Sequence, residues 1–135
     1  MSDLLELADR VEALVTSDRA LDAEIAYVIC WRWDDWEEGD ICIEDRPLEY
    51  VVNSTLNSNN SIWKYLPAYT ASLDAALTLV PETVVGWRMD MGGKRAVVRL
   101  AIGANPETPE AWARTPALAL TAASLRAINS IRRTA

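Results

Sequence analysis

An α+β fold is predicted for this 135-residue chain, with helices packed on a small, mostly antiparallel sheet. Two patterns predict it. Apolar residues recur at helical spacing near both ends and again in a short proline-fenced stretch past the middle. Between the last two of these stretches the period switches to two on either side of a Gly-Gly pair, the pattern of a β-hairpin. Half the residues are hydrophobic, and a chain of this length can bury roughly 70% of its unfolded surface, so a core can form without metals or disulfides. A single domain over 1–135 is expected, with a mobile or inserted acidic and polar region at 31–62.

The first helix is expected over 3–15. Leu4, Leu7, Ala8, Val11, Leu14 and Val15 share a face, and Asp3 with Glu6 can form a capping box. A second, over 18–30, turns Leu21, Ile25, Val28 and Ile29 inward and has Asp18 as its natural cap. The short break at Thr16-Ser17 suits an αα-hairpin. Beyond the acidic tract, I-C-I and L-E-Y-V-V-N read as strands, and N-S-T-L-N-S-N-N-S at 53–61 as an exposed loop. The next helix lies between Pro67 and Pro81, capped by Thr70, with Leu73, Ala76, Leu77 and Val80 buried. In the hairpin, Val85, Trp87 and Met89 alternate with Val84, Arg88 and Asp90. Its second strand alternates Ala96, Val98, Leu100 and Ile102 with Arg95 and Arg99. Residues 103–114 read as a connection. Thr115 then caps, and Pro116 opens, a last helix to 131 with Leu118, Ala122, Leu125, Ile128 and Ile131 inward.

Two of these stretches carry a resemblance. P-A-Y-T-A-S-L-D-A-A-L-T-L-V-P-E at 67–82 and T-P-A-L-A-L-T-A-A-S-L-R-A at 115–127, in that order, resemble the phage ABA-sandwich domain family. These are small α/β proteins of bacteriophages and prophages, mostly of unknown function. The resemblance covers 67–127 well and 3–30 loosely. It implies that the sheet is sandwiched by helices in α-β-α layers and that the protein is a phage or prophage accessory. The acid-rich tract at 34–45 is not part of the signature, so its role is expected to be particular to this protein.

Composition narrows the function. The formal charge is −7 and uneven. Residues 34–45 hold seven acids and no base, whereas 84–135 hold eight basic and three acidic residues. Phosphate affinity needs positive charge, so direct nucleic-acid binding is not expected. No run approaches the ~20 apolar residues of a membrane span, and M-S-D-L-L-E-L has no secretory pattern, so a cytoplasmic protein in a bacterial host is expected. The chain has no histidine and two cysteines, Cys30 and Cys42. That excludes Ser-His-Asp and Cys-His catalysis and a zinc site within one chain. Two reduced, largely buried thiols are expected in place of a disulfide, and neither metal nor cofactor is.

Two clusters remain as candidate sites. W-R-W-D-D-W and the acids after it bring together Trp31, Trp33, Asp34, Asp35, Trp36, Glu37, Glu38 and Asp40. Aromatic anchors rimmed by acids have the composition of an interface hot spot, and a basic partner could add cation–π contacts. The tract is no EF-hand, because Trp36 stands where the third position needs an acid. Loose divalent binding by its acids is the weaker reading. The second cluster is Arg88, Lys94, Arg95 and Arg99 around the hairpin, a candidate anion or nucleotide pocket or merely solvated strand faces. Gly92-Gly93-Lys94 is no P-loop, since Arg88 and Arg95 stand where the motif needs Gly and Ser/Thr.

The expectation is therefore a non-enzymatic phage or prophage accessory that binds a basic host-protein surface through the acidic tract. Inhibition of a host defence complex at its nucleic-acid-binding groove would be one form of this. The alternative is a binder of an anionic metabolite or signalling nucleotide, with an enzyme third. The oligomeric state is left open.

Overall fold

The computed structural model describes residues 4–33, 41–42, 46–57, 65–102 and 108–134. They form α1 (Leu4–Glu12), α2 (Arg19–Val28), β1 (Arg32–Trp33), β2 (Ile41–Cys42), α3 (Leu48–Leu56) and α4 (Leu73–Leu77). The chain then runs through β3 (Val84–Gly92), β4 (Arg95–Ile102), β5 (Glu110–Ala113) and α5 (Pro116–Thr134). The class is α+β, with helices packed on an antiparallel sheet of order β3-β4-β5. The chain groups into two compact units: Met1–Ser17 with Tyr69–Ala135 as unit one, and Asp18–Ala68 as unit two.

Unit one is built around α5. Its residues 117–125, A-L-A-L-T-A-A-S-L, carry no charge and are all buried. A helix apolar all round must be covered on every side, and α1, α4, β4 and β5 all pack against this one. Its alanines let these neighbours approach closely. Its buried hydroxyl at Thr121 donates to the Tyr69 carbonyl at 2.9 Å. Thr115 caps it as expected, accepting from the Leu118 N–H at 3.2 Å. Ala96, Val98 and Leu100 of β4 and Ala111 and Ala113 of β5 are buried, and α5 lies on these strands.

The hairpin forms where its period-two pattern puts it. Gly92 pairs with Arg95 across the two-residue turn Gly93-Lys94. Gly93 has φ 60° and Lys94 has no positive φ, which makes the turn type II′ and explains glycine at its first position. A register shift between Val84 and Gly86 brings Val84 opposite Ile102. Val85, at this shift, is 73% exposed.

In unit two α2 packs against α3, with Leu21, Ile25 and Val51 buried. Asp18 caps α2 through the Leu21 N–H at 3.1 Å. The helix ends in a Schellman motif: Trp31 N–H reaches the Ala26 carbonyl at 2.9 Å and Cys30 N–H the Tyr27 carbonyl at 3.3 Å.

Several local expectations are corrected. α1 stops at Glu12 rather than Val15. Val15-Thr16-Ser17 is poor in helix formers, and Val15 is exposed. Residues 48–53 are helical, not a strand, and α3 takes in part of the expected 53–61 loop. Strand alternation would put Val51 on the face of Glu49 and Asn53, whereas helical spacing buries it with Thr55. α4 is capped by Ser72 rather than Thr70, which is buried, and spans only Leu73–Leu77. Of its expected buried face only Ala76 is buried, and Leu73 and Leu77 are half exposed. Strand β5 lies inside the expected 103–114 connection. Cys30 is exposed, not buried, because α2 ends before it. The expected cap at Asp3 and the residues 58–62 lie outside the described residues.

Candidate functional site

The acidic tract begins where unit two forms a small antiparallel ladder. Arg32 pairs with Cys42 and Trp33 with Ile41, so the residues that flank 34–40 are held side by side. Trp31, at the foot of this ladder, is half-buried. Asp34, Asp35, Trp36, Glu37, Glu38 and Asp40 lie outside the described residues.

The units differ sharply in charge. Residues 18–68 hold eleven acids and four bases, so unit two carries the whole net charge of −7. Unit one holds nine of each and is neutral. The division sharpens the asymmetry between chain halves seen in the sequence, because the acids of α1 belong with the basic hairpin.

The four basic residues of the hairpin do not converge. Arg88 and Arg99 stand opposite each other across β3 and β4. Arg95 lies four residues along from Arg99, about 13 Å at strand rise, and Lys94 is in the turn. The two opposed guanidiniums are already paired, Arg88 with Asp90 at 3.0 Å and Arg99 with Glu110 at 2.7 Å. Both pairs are exposed and contribute little to stability. An open depression of about 310 Å³ lies beside them, lined by Gly86, Trp87, Ala101 and Thr108 as well as the two arginines. A second depression of about 350 Å³ at the start of α5 is lined by hydroxyls, including Thr16, Thr70 and Thr115, and by no charged side chain.

One polar cluster was not foreseen. Arg126, on α5, donates to Glu12 and Asp9 of α1 and, at 2.8 Å, to the Glu110 carbonyl of β5. Glu12 also accepts the Trp112 N–H at 2.8 Å. Burial pushes the Glu12 carboxyl up, but the hydrogen bonds from Arg126 and Trp112 and the attraction of Arg126 and Arg95 prevail, so it titrates below its ordinary value. Arg126 is held above its own ordinary value, chiefly by the hydrogen bond to Glu12 and against the effect of burial. This arrangement ties three elements together. The one sequence signal for it is an arginine directly after the uncharged run 117–125 of α5.

Among the described residues no three histidine, cysteine or acidic side chains group to hold a metal ion. No helix among them is long and apolar enough to cross a membrane. No family model matches the chain, and neither a curated protein nor a solved structure does, so the resemblance to the phage ABA-sandwich family rests on its two motifs.

Proposed function

We propose that this chain is a non-enzymatic phage or prophage accessory protein that binds a basic surface of a host protein through the acidic, tryptophan-bearing tract. Occupation of a nucleic-acid-binding groove in a host defence complex is the form that suits a row of carboxylates standing in for phosphates. The carrying observation is the confinement of the whole −7 charge to unit two, with five acids between the paired strands β1 and β2. Phage origin is supported by the motifs at 67–82 and 115–127 alone.

The test is affinity capture from host lysate with the wild type and a variant carrying Asp34→Lys, Asp35→Lys, Glu37→Lys and Glu38→Lys. A specific partner should be retained by the wild type, released by salt and lost by the variant, with the thermal transition unchanged. Trp33→Ala or Trp36→Ala should weaken binding by ~2 kcal/mol if either indole is an anchor. Undiminished capture by the four-lysine variant would refute the tract as the contact.

A second reading, capture of a small anion, rests on the opposition of Arg88 and Arg99 beside the open depression. The anion would have to displace Asp90 and Glu110 from the two guanidiniums.

A further inference from the structure

The two edges of the sheet in unit one are unlike. In an antiparallel strand the N–H and C=O of a residue point to the same side, and successive residues alternate. Leu100 donates its N–H to the Pro109 carbonyl at 2.9 Å, so Leu100, Val98 and Ala96 address β5 while Arg99 and Val97 address β3. The β3 residues opposite Arg99 and Val97 are Arg88 and Asp90. Trp87, Met89 and Met91 therefore turn their backbone groups away from the sheet. On β5 the outward residues are Glu110 and Trp112, and one backbone group of each is taken by a side chain. The Glu110 carbonyl accepts from Arg126 and the Trp112 N–H goes to Glu12. No described strand lies beyond β3. It is nine residues long, contains no proline, and leaves Trp87 44% and Met91 63% exposed. Among the described residues nothing caps this edge, and an open edge of this length is a template for another strand.

We propose that β3 pairs with β3 of a second copy of this chain, antiparallel about a two-fold axis at Met89, to give one six-stranded sheet. The strand is complementary to itself in this register. Met89 faces the partner's Met89, and Trp87 faces the partner's Met91. These are the residues whose backbone groups turn outward, so they form the hydrogen-bonded pairs. Arg88 faces the partner's Asp90, and Asp90 the partner's Arg88, on the face where the two already lie 3.0 Å apart within one chain. Four charges then alternate in sign across the seam. On the other face each indole meets a thioether, a favourable contact. A two-fold at Arg88 or at Asp90 would bring the same outward backbone groups to the seam but set a like charge against itself on the axis. Unit one is neutral, so its two copies meet without net repulsion. The inference goes beyond the proposed function, which uses unit two.

Sedimentation equilibrium on the full chain tests it. The wild type should weigh twice the 15.0 kDa chain at high micromolar concentration and dissociate on dilution. Arg88→Asp or Asp90→Arg alone opposes like charges at two symmetry-related places and should raise Kd by about tenfold or more. The double variant Arg88→Asp with Asp90→Arg restores opposite signs and should recover the dimer. Met89→Pro removes an outward N–H, spares the β3–β4 ladder and blocks the seam. Circular dichroism establishes that each variant is folded. A wild type that stays at one chain mass up to millimolar concentration overturns the pairing, whether a foreign strand or another segment of this chain then takes the edge. A dimer indifferent to the single reversals and to Met89→Pro, or a folded double variant that fails to recover it, overturns it equally.

Discussion

Cys30 occupies the position after the α2 cap where helices most often place glycine. Its φ is 58°, a conformation in which a Cβ crowds the following carbonyl at a cost of about 1–2 kcal/mol. Glycine would remove that strain but bring more freedom to the unfolded chain. Cys30→Gly is therefore expected to raise stability by about 0.5–1 kcal/mol in urea unfolding; a loss would show that the thiol contributes more than its exposure indicates. The residue read as buried because Ile25, Val28 and Ile29 precede it at helical spacing, yet the helix ends at Val28. Side-chain caps such as Asp18 and Thr115 were legible because each acts three residues away. The partners of Arg126 on α1 lie 114 and 117 residues distant, and no local pattern points to them.

At the scale of elements, burial separates two leucines that looked alike in sequence. Leu125 of α5 is fully buried, whereas Leu77 of α4 is 40% exposed. Leu125→Ala should cost ~2–5 kcal/mol and Leu77→Ala no more than ~1 kcal/mol, with urea midpoints as the measure. α5 was legible because a cap, a proline and a long apolar run agree. β5 was not, because four residues with two alanines inward show no β-branched pattern. The clasp of Glu12 and Arg126 joins α1 and α5 to β5 and makes stability depend on acid. Glu12 titrates below its ordinary value of 4.5 in the folded protein. Its contribution is therefore complete above that value and lost as pH falls through the lower, folded one. The stability difference between the wild type and Glu12→Gln should narrow over that window; a constant difference down to the lower end would show that the carboxylate charge plays no part.

In the whole molecule, the chain leaves unit one after Ser17 and re-enters it at Tyr69. The acidic stretch was legible as a departure in composition, but the division of charge between −7 and zero was not, because α1 and the basic hairpin are far apart in sequence. Unit one has a consequence of its own in how many neighbours it can accept. With β5 closed by Glu12 and Arg126 and β3 open, its sheet has a valence of one. Pairing through β3 uses up that valence, so association ends at two chains. A sheet open on both sides would go on adding chains into a fibre. The two side chains that clasp α1 to α5 thus also act as a chain terminator, setting the upper limit of assembly at the edge opposite to the one that assembles.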